Sequence, residues 1–252
     1  MTIPLPSRST CSHFYKYSNL TYPERLKDII LKHELYLPSL DQLNDPADGR
    51  PKLAPISESQ MFLFLYRAVL KQHPDWTSKA LNREAEVLRF NIRHHGTKEL
   101  QCMNAKILHT ELMGFRVYSL SKRYDNLSLW AKYAADHSGY SLEFCNEGAM
   151  FEHAREVAYG PAPPMDLNSG EHRSGYWFFF KSQEWSNEEE VRLVQPRGFK
   201  STVSYNPKWL TRLILGKDMS PEHQALLREW AKQREPELLV VNAYYDDVDQ
   251  VI

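Results

Sequence analysis

Short runs of apolar and aromatic residues, several of them alternating with polar ones, predict most of the strands in this chain. Residues 13–17, His-Phe-Tyr-Lys-Tyr, are rich in aromatic side chains and predict a first strand. Residues 115–121 and 140–145 predict two strands in the middle of the chain. Further runs complete a set of about eight strands; they lie at 35–37, 156–159, 189–194, 213–216 and 238–243.

Apolar residues at helical spacing predict helices between these strands. Pro23 stands where the first turn of one helix would begin, and Asp125 and Asn126 are natural N-caps for another. Ser220 followed by Pro221 gives a third helix the preferred start, with serine as the cap and proline in the first turn.

A block from about residue 57 to 113 contains almost no strand pattern. Three apolar stripes at helical spacing run through it, the last from Leu100 to Leu112. The block therefore predicts a helical insertion between strands. Because strands and helices do not alternate regularly, the fold class predicted is α+β: one domain over residues 1–252, with a mixed or antiparallel split sheet and this insertion.

Composition narrows the kind of protein without changing this fold. Of the 252 residues, 42% are hydrophobic and 25% are charged, as in ordinary globular proteins. The formal net charge is −1, so no global basic field indicates a nucleic-acid partner. Three cysteines outside any CxxC pair suit a reducing compartment, and no apolar run approaches the ~20 residues of a membrane span. We expect a cytoplasmic protein with no membrane partner.

Known catalytic motifs are missing from the sequence. It contains no HExxH, no P-loop and no GxGxxG, and no GxSxG with catalytic partners. These absences argue against a metalloprotease, a P-loop NTPase, a Rossmann dehydrogenase and an α/β-hydrolase.

The strongest candidate for chemistry is a cluster of charges on the late strand. Glu188, Glu190 and Arg192 alternate, so on a strand they would share one face. Close carboxylates repel one another, which raises one pKa, while a guanidinium keeps the other carboxylate ionised. Such a pair can accept substrate hydrogen bonds and protons. An edge strand with a solvated charged face fits the same spacing.

Two other segments carry candidate binding residues. Ser119 and Ser121 share a face at the end of the middle strand, and Trp130 and Tyr133 follow three residues apart on the next helix. The hydroxyls can order a ligand and the aromatic rings can stack on one, although both rings also fit a hydrophobic core. Lys16, between two tyrosines of the first strand, can meet a phosphate or can be an edge lysine.

In this order, the segments resemble a bacterial family catalogued as domain-of-unknown-function 2971. The resemblance runs from about residue 13 to 243 and is weakest in the helical block; Asn187 stands where the family has an aromatic. The family has no established function to carry over. The matching segments are Tyr15-Lys16-Tyr17, Leu43-Asn44-Asp45-Pro46, Ser119-Leu120-Ser121, Trp130-x-x-Tyr133, His137-x-Gly139, Leu142-Glu143-Phe144, Lys181, Trp185-x-x-Glu188-x-Glu190-x-Arg192 and Ile214-Leu215-Gly216.

The layout more distantly resembles the ADP-ribosyltransferase superfamily, including the DarT-like toxins that modify DNA. This resemblance implies NAD as a substrate, no metal, Glu190 as the catalytic glutamate and Glu188 as the residue that orients or deprotonates the acceptor. It implies a protein or nucleic-acid acceptor, and a toxin or phage-defence role with an antitoxin or immunity partner. Lys16 departs from the Arg or His of the superfamily. The residues it places around NAD are Lys16, Tyr17, Ser119, Ser121, Trp130, Tyr133 and Arg192.

Two other functions stay open at this point. Glu188, Glu190 and Asp45 can be read as the ligands of a metal-dependent nuclease or phosphoesterase, provided that they converge on one ion. The cleft can also belong to a binding module without catalysis, which holds a ligand or a segment of a partner.

Overall fold

The computed structural model describes residues 7–52, 54, 58–95, 112–147, 150–165, 175–196 and 198–243. Within them the strands are β1 His13–Ser18, β2 Glu34–Tyr36, β3 Arg116–Ser121, β4 Tyr140–Cys145, β5 Arg155–Glu156, β6 Ala158–Tyr159, β7 Phe180–Lys181, β8 Glu190–Gln195, β9 Thr202–Ser204, β10 Leu210–Leu215 and β11 Leu239–Asn242. The α-helices are α1 Pro23–Lys27, α2 Glu58–Gln72, α3 Ser78–His95, α4 Leu127–Tyr133 and α5 Pro221–Gln233.

A seven-stranded mixed sheet lies at the centre of the fold. Its strand order is β11-β10-β4-β1-β3-β8-β5, and neighbours are antiparallel except for the parallel pair β10 and β11 at one edge. Two small sheets accompany it, β2 with β9 and β6 with β7. The sheet is open, with β11 and β5 at its edges. The α+β class predicted from the sequence is confirmed.

The central sheet is split between β1 and β3. The two strands are in register at one pair, Tyr15 and Ser121, whereas β1 pairs with β4 along its whole length. Beyond that pair, the Val117 amide donates instead to the Pro38 carbonyl at 2.9 Å. The chain after β2 therefore takes the edge of β3 that β1 leaves, and the two central strands part.

Side chains that alternate along β8 face two different environments. Val191 and Leu193 belong to the largest hydrophobic cluster, which also contains residues of α1 and α5. Glu190 and Arg192 point to the other side of the sheet, where they are buried among polar groups. The period of two read from the sequence is therefore correct for this strand, and β8 is an interior strand between β3 and β5.

The predicted helix starts are confirmed. Helix α1 begins at Pro23. Of the two predicted caps of α4, Asn126 is the one whose side chain accepts from the Leu129 amide, whereas Asp125 pairs with Arg123; Ser220 caps α5 by accepting from the His223 amide. These caps satisfy amide groups that have no partner within the helix.

Helices α2 and α3 fill the first part of the predicted helical block and pack on the cluster that contains Phe115 and Phe178. The third predicted stripe, from Leu100 to Leu112, lies outside the described residues apart from Leu112, which is buried. Among the residues that are described, no helix is both long and apolar enough to cross a bilayer. The assignment of one domain stays a prediction.

Two features of the strands differ from the sequence prediction. The run 156–159 is divided between two short strands with different partners: β5, which begins one residue earlier and pairs with β8, and β6, which pairs with β7. Strands β7 and β9 were not predicted, since their two and three residues are too short to show a period.

Candidate functional site

A cavity of about 290 Å³ opens where β1 and β3 part. Strands β1, β3, β7 and β8, helix α4 and the loop around Asn44 all contribute to its wall. The cavity thus brings together residues that are far apart in the sequence. The site residues predicted from the sequence that line it are Lys16, Tyr17, Ser119, Ser121, Tyr133, Glu188, Glu190 and Arg192.

Glu190 and Arg192 form a buried pair on neighbouring same-face positions of β8. Arg192 Nε donates to Glu190 Oε1 at 2.7 Å, and Arg192 Nη2 donates to Oε2 at 2.9 Å. Their side chains are 5% and 1% exposed. Such a forked contact fixes the plane of the carboxylate as well as its charge.

The same guanidinium binds a second carboxylate from a distant loop. Arg192 Nη1 and Nη2 donate to the two oxygens of Asp48 at 2.7 and 2.6 Å, and Nη1 also donates to the Phe178 carbonyl. Asp48 is buried in the turn that follows Asp45. The network of ion pairs that begins at Glu190 therefore extends through Arg192 to Asp48, in the loop over the cavity.

Lys181, on β7, joins the two candidate carboxylates. Its Nζ donates to Glu188 Oε2 at 2.6 Å and to Glu190 Oε2 at 3.2 Å, and it lies 4.5 Å from the centre of the Trp185 ring. The side chain is 2% exposed. Burial of an unpaired charge is costly, and here Lys181 contacts the carboxylates of both glutamates.

Glu188 reaches the cavity in a different way from the strand geometry that the sequence predicts. It ends a 3₁₀ turn, Gln183–Glu188, and β8 begins only at Glu190. Between them Glu189 adopts a left-handed conformation with φ of 43°, which ends the turn before β8 begins. The strand placement of Glu188 is therefore wrong, although its side chain still enters the same cavity.

Tyr133 connects Glu188 to the loop over the cavity. Its hydroxyl donates to Glu188 Oε1 at 2.7 Å and accepts from Asn44 Nδ2 at 2.9 Å. Lys132 Nζ lies 3.4 Å from the same carboxylate oxygen and stacks on the Trp185 ring at 3.2 Å. Both oxygens of Glu188 are thus held by hydrogen-bond donors.

The ionisation of the site follows from these contacts. Burial by itself would raise the pKa of Glu190, but Arg192 and Lys181 outweigh it and lower that pKa to about 2. Burial, and then Glu188, raise the pKa of the Tyr133 hydroxyl well above its usual value. Burial lowers the pKa of Lys16, which the two glutamates partly offset. At neutral pH the site holds an ionised Glu190.

Lys16 lies at the split in the sheet. Its Nζ donates to the Ser119 carbonyl at 2.9 Å and lies 5.0 Å from the centre of the Tyr118 ring. The ammonium therefore replaces the ladder hydrogen bond that is lost where β1 and β3 part. Its two neighbours, Tyr15 and Tyr17, belong to a separate hydrophobic cluster with Trp130.

The two predicted serines have different partners. The Ser121 hydroxyl donates to the Glu188 carbonyl at 2.9 Å and accepts from the Arg123 amide, so it fixes the backbone around Glu188. The Ser119 side chain lies beside the Glu190 carboxylate and adds to the effects of Arg192 and Lys181 that lower its pKa. Ser119 is therefore the hydroxyl that faces the catalytic candidate.

Of the residues predicted to act in catalysis or to surround NAD, Trp130 is the one that the structure does not place on the cavity wall. It is fully buried, donates through Nε1 to the Tyr124 carbonyl and packs edge-on against the Tyr17 ring at 5.2 Å. Although Trp130 and Tyr133 are three residues apart on α4, only Tyr133 reaches the cavity. Trp130 supports Tyr17 from behind.

The geometry does not favour the metal-dependent reading. Asp45 does not line the cavity, and its Oδ1 accepts the Ala47 amide in a local turn. Glu188 and Glu190 direct their oxygens to lysine and arginine side chains. Within the described part of the chain, no three His, Cys, Asp or Glu residues converge in a way that could hold a metal ion.

Reasoning from sequence missed four residues that hold the site together: Asn44, Asp48, Tyr159 and Lys181. The Tyr159 hydroxyl accepts the Glu190 amide at 2.7 Å, and the other three contact Tyr133, Arg192 and the two glutamates as described. The segments holding Asn44 and Lys181 were part of the family resemblance, which was the available signal. Asp48 had none, since its partner is 144 residues away.

Comparison with known proteins identifies no relative of this chain. No protein-family model matches the chain, and neither a curated protein nor a solved structure does so. The two family resemblances noted in the sequence therefore stay predictions.

Proposed function

We propose that the protein transfers ADP-ribose from NAD to a macromolecular acceptor, either a protein or a nucleic acid. One observation carries the proposal: Glu190, ionised and buried, faces a cavity where the central sheet splits, beside the Ser119 hydroxyl and close to Lys16. A fixed carboxylate in a site of low dielectric stabilises positive charge that develops on a substrate.

Cleavage of the bond between the nicotinamide nitrogen and the ribose develops that charge. The bonding electron pair leaves with nicotinamide, which becomes neutral, and the ribose carbon becomes cationic. An acceptor oxygen or nitrogen then forms the new bond to this carbon and loses a proton. Glu190 would stabilise the cation by binding a ribose hydroxyl, and Glu188 would orient the acceptor or take its proton.

Glu190 has room for a ribose hydroxyl. A carboxylate offers about four acceptor positions. Three of them are used by Arg192 and Lys181, which leaves one position, with the Ser119 hydroxyl beside the carboxylate. A serine hydroxyl rotates freely, so a substrate hydroxyl can take that position without breaking an ion pair.

The size of the cavity limits which part of NAD it holds. About 290 Å³ lies at the lower end of small-molecule sites. That volume suits nicotinamide with its ribose, the part where the bond breaks. The Tyr133 ring lies on the wall and offers a surface for the nicotinamide, and the adenosine portion would extend outside.

Nicotinamide release and label transfer from adenine-labelled NAD test the proposal. We expect release by the wild-type protein, and a loss of at least about 100-fold in Glu190→Gln. Glu189→Gln is the matched control, because this neighbouring carboxylate is partly exposed and pairs with Arg123 instead. Circular dichroism and a thermal melt establish that each variant is folded.

Three outcomes separate the alternatives. Folded wild-type protein that neither binds nor consumes NAD overturns the proposal. NAD binding with equal behaviour of wild type and Glu190→Gln in every turnover assay assigns a binding module instead. Magnesium-dependent cleavage of nucleic acid that requires Glu190 would restore the nuclease reading.

A further inference from the structure

Lys181 stands between the two carboxylates on which the proposed reaction depends. Its Nζ donates to Oε2 of both Glu188 and Glu190, at 2.6 and 3.2 Å. We propose that Lys181 is the positioning residue of this site: one ammonium balances the charge of both carboxylates and fixes their orientations, so that each can act separately. The catalytic part of this inference rests on the proposed function, whereas the electrostatic part does not.

The Lys181 ammonium makes its contacts within the site, and these contacts leave it little freedom to move. Two of its contacts go to the carboxylates, and the Trp185 ring covers it at 4.5 Å from the ring centre. Its side chain is almost fully buried, in contrast to Lys132, which approaches Glu188 from the partly exposed side. Although Lys181 lines part of the cavity wall, its ammonium is engaged with the two glutamates, and it acts through them.

The balance of charge shows why the ammonium is needed. The buried group consists of three carboxylates and two cations: Asp48, Glu188, Glu190, Lys181 and Arg192. Arg192 is committed to Glu190 and Asp48, so Lys181 is the cation that the two glutamates share. Removal of this charge would leave adjacent carboxylates in a buried site, where one of them takes up a proton.

Other ionisable groups around the pair limit the size of the effect. They come from every element that packs on it and are Lys16 on β1, Asp48 in the loop, Lys132 and Tyr133 on α4, Tyr159 on β6 and Arg192 on β8. Lys16 and Lys132 would compensate in part for a lost ammonium. We therefore expect the apparent pKa of one glutamate to rise by about 2 units, not by the 3–5 units of an isolated buried carboxyl.

Carbon-13 NMR of protein labelled at the glutamate carboxyl carbon measures this directly. Signals of Glu188 and Glu190 are assigned from Glu188→Gln and Glu190→Gln. In Lys181→Gln, which retains a hydrogen-bond donor but no charge, one of the two signals should titrate about 2 pH units higher than in the wild type. Lys181→Arg retains the charge, so the titration midpoint of that signal should lie close to its wild-type value. Lys200→Met, at an exposed site, should leave both glutamate titrations unchanged.

The outcomes keep the inference and the proposed function distinct. Folded Lys181→Gln with unchanged glutamate titrations overturns the inference, and Lys181→Met provides a second test if Gln disrupts folding. If the wild type releases nicotinamide, the rate of release falls on the acidic side of its pH profile. In Lys181→Gln this fall should occur at higher pH, because the carboxylate must be ionised to act. Where wild type releases none, the proposed function fails, while the titrations still decide the role of Lys181.

Discussion

Arg192 and Asp48 face each other in a two-fold ion pair, with Nη1 to Oδ1 at 2.7 Å and Nη2 to Oδ2 at 2.6 Å. The two residues are 144 positions apart, and both side chains are 1% exposed. The pair ties the loop over the cavity to β8, the strand that carries Glu190. It therefore connects the stability of the fold to the geometry of the site.

Asp48→Asn should destabilise the protein by about 1–3 kcal/mol, because the buried guanidinium loses a charged hydrogen-bond acceptor but keeps its contact with Glu190. Urea unfolding at pH 7 measures the change. Asp41→Asn is the control, since Asp41 is exposed and its contact with Arg50 is 3.4 Å, so the change there should stay below about 1 kcal/mol. Equal effects of the two substitutions would contradict this account of Arg192.

Stability should fall in acid because of Glu190. Its pKa in the folded protein is about 2, below the usual value of 4.5, so unfolding takes up a proton at low pH. The stabilisation is complete above pH 4.5 and is lost as the pH falls towards 2. By pH 3 the wild type should lose about 2 kcal/mol more than Glu190→Gln, relative to pH 7. Parallel unfolding curves for the two proteins across this range would show that Glu190 is not responsible.

Tyr133 and Asn44 should be energetically coupled, because the Asn44 amide donates to the same hydroxyl that holds Glu188. Tyr133→Phe should cost about 1.5–3 kcal/mol, as expected for a hydrogen bond to a charged group. Asn44→Ala should cost less in that background than in the wild type, by about 0.5–1 kcal/mol. Tyr36→Phe removes a comparable but exposed hydroxyl contact, to Gln42, and serves as the control. Additive losses would mean that the two bonds are independent.

Gly216 should tolerate no side chain. A Cβ there would meet the His137 carbonyl far inside van der Waals distance, and the Gly216 amide donates to the Gly139 carbonyl at 2.8 Å. Gly216→Ala should therefore cost more than about 3 kcal/mol, through displacement of backbone. Gly198→Ala, where the space is open and only φ of 92° opposes the side chain, should cost about 1 kcal/mol. Thermal unfolding of both variants checks the difference, and similar melting temperatures would contradict it.

The sequence predicted those parts of the site whose pattern is local. Alternation on β8 placed Glu190 and Arg192 on one face and Val191 on the other, because a strand has a period of two whatever surrounds it. The capped start of α4 followed from Asn126 in the same way. The α+β class followed from the order of strands and helices.

Contacts between distant segments were beyond such patterns. Glu189 adopts a left-handed backbone conformation, which a glutamate in the sequence does not predict. The prediction therefore assigned Glu188 to strand β8, whereas it lies in the preceding 3₁₀ turn. Nothing near Asp48 reveals that its partner is Arg192. Spacing on a helix also left open which of two aromatic residues reaches the cavity, and the answer, Tyr133, depends on how α4 packs against Tyr17.

The bond from Lys16 to the Ser119 carbonyl makes the middle of this sheet adjustable. A peptide amide in a regular ladder is fixed by its neighbours, but an ammonium at the end of four methylene groups can exchange partners. An incoming oxygen that draws the ammonium away would free a single carbonyl and leave the pairing of β1 with β4 intact. Lys16 can thus turn from the backbone to a guest at the cost of one hydrogen bond, with the pairing that holds β1 in the sheet unchanged.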